Sequence, residues 1–330
     1  MVRTSTLVTI DDIRAAADTI RGVATRTPLI AFGPPTDERF LKPESLQSIG
    51  AFKIRGAYNA IASLSAAERR RGVITYSSGN HAQGVARAAR LLGAPAVVVM
   101  PSDAPSIKRE RVAADGAEIV TVGTSSDERQ HVAERLAAER GLSVIPPFDD
   151  DRIIAGQGTV GLEIVDDLPD VAAVIVPVGG GGLASGVAAA VRAMRPSARV
   201  IGVEPELAAD ARDSLANGRI VRWPAEAVSR TIADGTRTQA VGIRTFEHLR
   251  SLLDRIVTVS EDEIVAAVRI IADTSRLVAE PSGALSVAAM LFRAGEAGLE
   301  GLDGPVVAVV SGGNVDPAAF RAYLSAPLPD

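Results

Sequence analysis

The sequence predicts an α/β protein built on two open parallel sheets, and three features carry that prediction. Between residues 73 and 148, four short strand-like runs alternate with helix-like ones. A second alternation of the same kind occupies most of the chain from about 156 onward. Strands that alternate with helices pair in parallel, because each helix crosses back over a face of the sheet. The glycine-rich and polar loops also follow strands directly, and such folds bind ligands at the C-terminal ends of their parallel strands.

Taken in order, "TIDDIRAAADTIRGVATRTPL" opens with Thr9 and Asp12 at capping-box spacing and continues with helical apolar spacing until Pro28. The first alternation begins with "VITYSS" and "HAQGVARAARLLG", followed by "APAVVVMP" and "SIKRERVAADG". "AEIVTVG", "SDERQHVAERLAAERG" and the strand-like "LSVIPPF" complete it. "PPFDDDR" at 146–152 is the best boundary. Beyond it come a helix at 156–167, a strand at 171–178, a helix at 185–195 and a strand at 198–204. A less regular stretch leads to a helix from about 261, with Ser260 and Glu263 as its capping box, and to another at about 282–293. "PVVAVVSGG" at 305–313 reads as the last strand. The expected division is a small α/β domain at 73–148 inserted in a large one formed by 1–72 and 149–330. The sequence shows no linker, repeat or low-complexity segment.

Composition narrows the function. The 330 residues are 47% hydrophobic and 23% charged, with a net charge of −5. That balance argues against nucleic acid and against a basic membrane-surface patch. There are no cysteines, so there is no disulfide framework, thiolate nucleophile or cysteine-bound metal. The three histidines (His81, His131, His248) lie far apart, which disfavours a histidine zinc site. The N-terminus lacks a signal-peptide core. The uncharged run 172–191 is long enough to span a membrane, but Pro177 and four consecutive glycines interrupt it. A cytoplasmic protein is expected.

Four stretches carry chemistry. Of 35 basic residues only Lys42, Lys53 and Lys108 are lysines. Arginine does not lose its proton in a protein, whereas a buried lysine amine can. Lys53, between Phe52 and Ile54 in "GAFKIRGAYNA", is therefore a candidate nucleophile, although a surface lysine at a helix start has the same local look. "VPVGGGGLASG" at 176–186 runs from a strand through Gly179, Gly180, Gly181 and Gly182 into a helix at Leu183, which suits a phosphate. Gly179, Gly181 and Ala184 also satisfy G-x-G-x-x-A, and Glu204 lies 20 residues further on, where a ribose-binding acid would sit. A dinucleotide-dependent oxidoreductase thus remains open at this point, as does a structural glycine turn. "SSGNHAQG" at 77–84 offers an anion-binding turn or an ordinary cap. "VVSGGN" at 309–314 places Ser311 at a strand end, as ligand contact or simple turn.

Together these motifs resemble the fold-type II pyridoxal phosphate enzymes, specifically the serine/threonine dehydratase and serine racemase family. "SIGAFKIRGA" is similar to the Schiff-base lysine motif, "SSGNHAQG" to the substrate-carboxylate loop, "GGGGL" to the phosphate loop and "SGGN" to the partner of the pyridine nitrogen. "RTPL" (26–29), "IAGQGT" (154–159), "IADG" (232–235) and "EPSGA" (280–284) match as well, in order and along nearly the whole chain. The family often has threonine where Ile49 stands. The resemblance implies two open α/β domains with the cofactor in the cleft between them.

It also implies roles. Lys53 would hold pyridoxal 5'-phosphate as a Schiff base and, once freed, act as base at Cα. Phe52 would pack on the ring, Asn80 would meet its phenolic oxygen, and Gly179 to Leu183 would hold the phosphate. Gly235 and Glu280 would line the cofactor site, and Ser311 would meet the ring nitrogen. Ser77, Ser78, Gly79, Asn80 and His81 would bind the substrate carboxylate. A neutral hydroxyl at the ring nitrogen suits β-elimination: L-threonine to 2-oxobutanoate, or L-serine to pyruvate, with ammonia. In racemase-like relatives the serine at Ser78 returns a proton, so serine racemisation is the runner-up. Arg129 begins a helix near the expected mouth; it reads as a solvated surface arginine or, if it reaches inward, makes a dicarboxylate such as 3-hydroxyaspartate a candidate substrate. "GVEPELAAD" resembles the family's divalent-cation loop, with Glu204, Ala208 and Asp210 as oxygen ligands for magnesium or calcium. The family often has aspartate at Ala209. A homodimer or homotetramer is expected. The long biosynthetic members carry a C-terminal regulatory domain for which this chain has no room after "SGGN", so no inhibition by isoleucine is expected.

Overall fold

The computed structural model describes residues 7–328 except 78, 103, 105, 124 and 125. Its strands are β1 (Ile30–Ala31), β2 (Arg39–Pro43), β3 (Val73–Tyr76), β4 (Ala96–Pro101), β5 (Glu118–Val122), β6 (Ser143–Val144), β7 (Ala173–Pro177), β8 (Arg199–Pro205), β9 (Arg255–Val259) and β10 (Val306–Val310). They form a six-stranded sheet, β1-β2-β10-β7-β8-β9, and a four-stranded sheet, β5-β4-β3-β6. All neighbours pair in parallel except the short β1 against β2. "AVIVP" and "VVAVV" are buried along their whole length, as strands covered on both faces must be.

The helices are α1 (Ile10–Thr19), α2 (Lys53–Ala62), α3 (Ala66–Arg71), α4 (Asn80–Leu91), α5 (Ser106–Ala114), α6 (Ser126–Arg140), α7 (Asp151–Asp167), α8 (Gly182–Met194), α9 (Asp210–Asn217), α10 (Ala225–Val228), α11 (Ile243–Leu252), α12 (Glu261–Ser275), α13 (Pro281–Phe292), α14 (Ala294–Ala297) and α15 (Pro317–Ser325). One face of the large sheet packs on α12 and α13 through Ile264, Val268, Leu285 and Val287. The other packs on α7, α8 and α11 through Val160, Ile164, Leu183, Val187 and Leu249. The apolar face of α2 joins the core under the small sheet, where Ile54 and Ile61 meet Val85, Val98 and Ile145.

Glycine lets two helix pairs approach unusually closely. A Cβ on Gly186 of α8 would stand 2.3 Å from Ile154 O of α7, and one on Gly156 of α7 would stand 2.6 Å from Gly56 Cα of α2. The two sheets are thus joined through α2, α7 and α8.

Several expected boundaries move. The Thr9–Asp12 capping box forms, but α1 stops at Thr19, well before Pro28. The helix expected at 156 starts at Asp151, because Asp150 caps it by accepting from Arg152 N at 2.8 Å. The helix expected at 185 starts at Gly182. Among the described residues no helix is long and apolar enough to cross a membrane.

Candidate active site

A cavity of about 280 Å³ opens at the C-terminal ends of β3, β7 and β10. Phe52, Lys53, Ser77, Gly79, Asn80, His81, Gly179, Gly180, Gly181, Gly182, Leu183, Gly235, Glu280 and Ser311 all line it. Ser78 lies outside the described residues. Parallel pairing explains the convergence: β7 and β10 are neighbours, so the loops that leave them emerge side by side.

Lys53 is the first residue of α2. Its Nζ donates to Pro147 O at 2.7 Å and lies 5.1 Å from the centroid of the Phe52 ring. Burial pulls its pKa down to about 8, since the charged amine has lost its water. The helix below it is anchored by a buried ion network. Arg55 donates to Glu44 from Nε and Nη2 at 2.8 Å each and to Glu163 from Nη1 at 2.6 Å. Thr159 Oγ1 and Thr25 O take further N–H groups, and Lys42 Nζ binds Glu163 Oε2 at 2.6 Å. On the other side a Cβ at Gly84 of α4 would stand 3.2 Å from the Lys53 carbonyl, so α4 presses on the backbone there.

The glycine loop ends at the N-terminus of α8, whose first amides have no partner inside the helix. Gly181, the N-cap, has φ +93°, a conformation that favours glycine. A Cβ on Gly180 would lie 2.1 Å from the Phe148 ring. Thr245 Oγ1 donates to Gly180 O at 2.7 Å and fixes the loop from behind. Asp149 in turn accepts from the amides of Ile243, Arg244 and Thr245 and caps α11. Residues 147–149 therefore touch the lysine, the glycine loop and the helix that supports it.

Opposite, Asn80 Nδ2 donates to Glu280 Oε1 at 2.6 Å, and Asn314 Nδ2 donates to Asn80 Oδ1 at 2.8 Å. Burial, then the nearby Asp234 carboxylate, raises the Glu280 pKa to about 7; Lys108 and Asn80 oppose this. Ser311 is buried, with its Oγ 3.4 Å from Ser282 O. His81 places Nε2 3.1 Å from Ile145 O, and its buried Nδ1 has no hydrogen-bond partner. Burial, with the Lys53 charge, lowers its pKa to about 3, so the ring is neutral. With Nε2 as donor to the carbonyl, Nδ1 is an acceptor.

The cavity also holds residues that the motifs did not single out, among them Tyr76, Phe148, Thr236 and Arg222, and Asp234 of the "IADG" stretch joins them. Lys108 is another: its Nζ binds Asp234 Oδ2 at 2.5 Å, and a Cβ on Gly79 would lie 3.9 Å from it. The scarcity of lysine was a signal for Lys108 too. Arg129 lines the cavity.

Glu204 and Asp210 lie outside this lining, at the end of β8 and the start of α9. Both are fully buried. Glu204 accepts from the amides of Ala211 and Arg212 at 3.0 and 2.8 Å, which uses it as a helix cap rather than as a ribose ligand. Neither oxygen of Asp210 has a hydrogen-bond partner. Ala208 is buried in the turn between them. Among the described residues no cluster of three or more His, Cys, Asp or Glu is placed to hold a metal.

A buried amine whose pKa is pulled down to about 8, a glycine cradle at a helix N-terminus and a buried hydroxyl at a strand end define a site for a phosphorylated carbonyl cofactor. The comparisons agree: the family described as pyridoxal-phosphate dependent enzyme matches residues 20–312, and this chain belongs to it. It is 43% identical to an L-threonine ammonia-lyase of Thermotoga maritima, over 94% of this chain and 76% of that one. It is 39% identical to an L-threo-3-hydroxyaspartate ammonia-lyase of Saccharomyces cerevisiae, over 96% of each. The solved structure of maize serine racemase superposes with a TM-score of 0.90 at 38% identity, covering 96% of this chain and 97% of that one. The oxidoreductase alternative left open by the glycine pattern is thereby closed.

Proposed function

We propose that the protein is a threonine/serine ammonia-lyase, which removes water from L-threonine or L-serine and releases 2-oxobutanoate or pyruvate with ammonia. The observation that carries this is Lys53: a buried amine, with pKa near 8, facing the glycine cradle across one cavity. Pyridoxal phosphate fits the residues present. Gly179 to Leu183 would hold its phosphate against the α8 N-terminus, with Phe52 beside the ring and Ser311 at the ring nitrogen. When bound, it supplies an electron sink for the pair left at Cα.

The chain's own groups do the rest. Lys53 removes the Cα proton, which an amine can do only when neutral. Ser77, Ser78, Gly79, Asn80 and His81 receive the substrate carboxylate, the amides at the start of α4 adding favourable dipoles. Ser311 is a neutral partner and does not fix a full positive charge, so carbanion character is short-lived and loss of the β-hydroxyl wins. Gly235 and Glu280 complete the wall. Phe148 packs behind Gly180 and lines the same cavity as the amine.

A second reading rests on Arg129, which lines the same cavity and would suit the second carboxylate of 3-hydroxyaspartate. Racemisation would instead use Ser78 as an acid on the face opposite Lys53. Side-by-side assay of L-threonine, L-serine and 3-hydroxyaspartate for 2-oxo acid, and of L-serine for D-serine, separates the three. D-serine formed at a rate comparable to pyruvate would overturn the lyase in favour of a racemase.

The same reading includes a magnesium or calcium ion held by Glu204, Asp210 and the carbonyl of Ala208, which the unpartnered Asp210 oxygens support. It treats 73–148 as a small domain inserted between 1–72 and 149–330. It also places the enzyme in the cytoplasm as a homodimer or homotetramer, in keeping with the exposed Leu46 and Val278 (48% and 47%). Light scattering on the purified protein tests the assembly.

A further inference from the structure

Three side chains from distant parts of the chain form a line of hydrogen bonds that ends at the cavity. Arg111, exposed on α5, donates from Nη1 to Asn314 Oδ1 at 2.6 Å. With its oxygen committed, Asn314 directs its NH2 the other way, to Ile49 O and to Asn80 Oδ1, each at 2.8 Å. The oxygen of Asn80 is then committed as well, and its NH2 faces Glu280 Oε1 at 2.6 Å. A side-chain amide has one accepting and one donating end, so reversing either asparagine would set like groups against each other. Nδ2 of Asn80 carries two hydrogens. Glu280 takes one, and the other is left for the occupant of the cavity that Asn80 lines.

The line crosses between the two sheets. Arg111 sits on a helix of the four-stranded side, and Asn314 follows β10 of the six-stranded side. Gly50, at φ +72°, makes room for it: a Cβ there would lie 2.5 Å from Asn314 Oδ1. Lys108, three residues before Arg111 on α5, makes a second tie to the same side through Asp234. The line is complete only while α5 lies against the six-stranded side.

We infer that Arg111 is a positioning residue: through Asn314 it sets the polarity of the Asn80 amide, so that docking of α5 presents an N–H donor to the phenolic oxygen of the cofactor ring. This rests on the reading that pyridoxal phosphate occupies the cavity. A donor at that oxygen favours its ionised form, and its loss raises the pKa there.

The test uses Arg111→Ala, Arg111→Lys and Asn314→Asp, reading the Kd for pyridoxal phosphate and the pH midpoint of the visible absorbance of the reconstituted enzyme. Asn314→Asp is the discriminating variant. It keeps an acceptor for Arg111, and so keeps the tie between the two sides, but has no hydrogen to give Asn80. We expect Kd to rise about tenfold in Arg111→Ala and in Asn314→Asp, the worth of roughly one hydrogen bond. The absorbance midpoint should rise by about one unit in both, and Arg111→Lys should retain most of the wild-type behaviour. Wild-type Kd and midpoint in Arg111→Ala, whose exposed site should tolerate the change, would overturn the inference. So would a defect in Arg111→Ala that Asn314→Asp does not share, since Arg111 would then act only as a tie. Failure of the wild-type protein to take up pyridoxal phosphate with a visible band would instead sink the cofactor reading beneath it.

Discussion

Lys53 shows how one residue's chemistry follows from where the chain puts it. Its amine has lost water, has a carbonyl and an aromatic ring for company, and has a pKa pulled to about 8. Capture of pyridoxal phosphate requires the neutral amine, so the rate of reconstitution of the cofactor-free protein should rise with pH with a midpoint near 8. A midpoint near the ordinary lysine value would show that the amine is solvated. The same shift acts on stability. Between pH 8 and the unfolded value near 10.5 the unfolded chain binds more protons than the folded one, so this residue's penalty on the cofactor-free fold is relieved as pH rises through that window. On the proposed reading, Lys53→Ala would remove both attachment point and base, and elimination should fall beyond the roughly 10²–10⁴-fold typical of losing a general base alone. Steady-state 2-oxo acid release measures it. The three lysines were legible as a set because arginine replaces lysine everywhere else. What the sequence could not show was the division of labour: Lys42 is sealed in an ion network, while Lys108 spans the cavity to Asp234.

At the scale of elements, α2 has the most to hold, because it begins at Lys53. Arg55 is fully buried and gives every N–H to an acceptor, from Glu44, Glu163, Thr159 or Thr25. Such a network contributes little net energy as a whole, but removing one partner strands the others. Arg55→Ala leaves Glu44 and Glu163 facing each other with only Lys42 for charge, and should cost about 3–5 kcal/mol. Urea unfolding with an unchanged midpoint would contradict it. "VPVGGGGLASG" read correctly as strand, loop and helix because apolar runs and glycines fix both ends locally. β2 was not foreseen: "RFLKP" contains a lysine and a proline, and becomes a strand only because Glu163 and Thr27 O satisfy Lys42 from elsewhere in the fold. The start of α7 was missed for a smaller reason, since a run of three aspartates does not show which one caps. Likewise Phe148 and Arg222 reach the cavity through tertiary contact alone, with no local spacing to mark them.

At the scale of the whole molecule, Glu204 ties β8 to α9 beside the buried Asp210, at a cost that a cation would remove. Burial raises both carboxyls, Asp210 to about 7; the Asp210 charge raises Glu204 further, and the Asp213 charge raises Asp210. In the metal-free protein the folded state then holds protons that the unfolded chain has already lost. Stability from this pair is full below the unfolded values near 4 and is lost as pH rises through about 7. On the proposed reading, a cation bound there would reverse the slope, because it would take the ionised carboxylates and displace those protons. Binding only the folded state, it would stabilise by mass action. Chelation should therefore lower Tm, magnesium or calcium should restore it, and the difference between the two states should widen from pH 6 to pH 8. Thermal melts across that range, on protein verified free of metal, measure all three. A Tm that ignores both chelator and cation at pH 8 would leave Glu204 as the cap of α9 and Asp210 as a buried carboxyl in its turn with no bound cation.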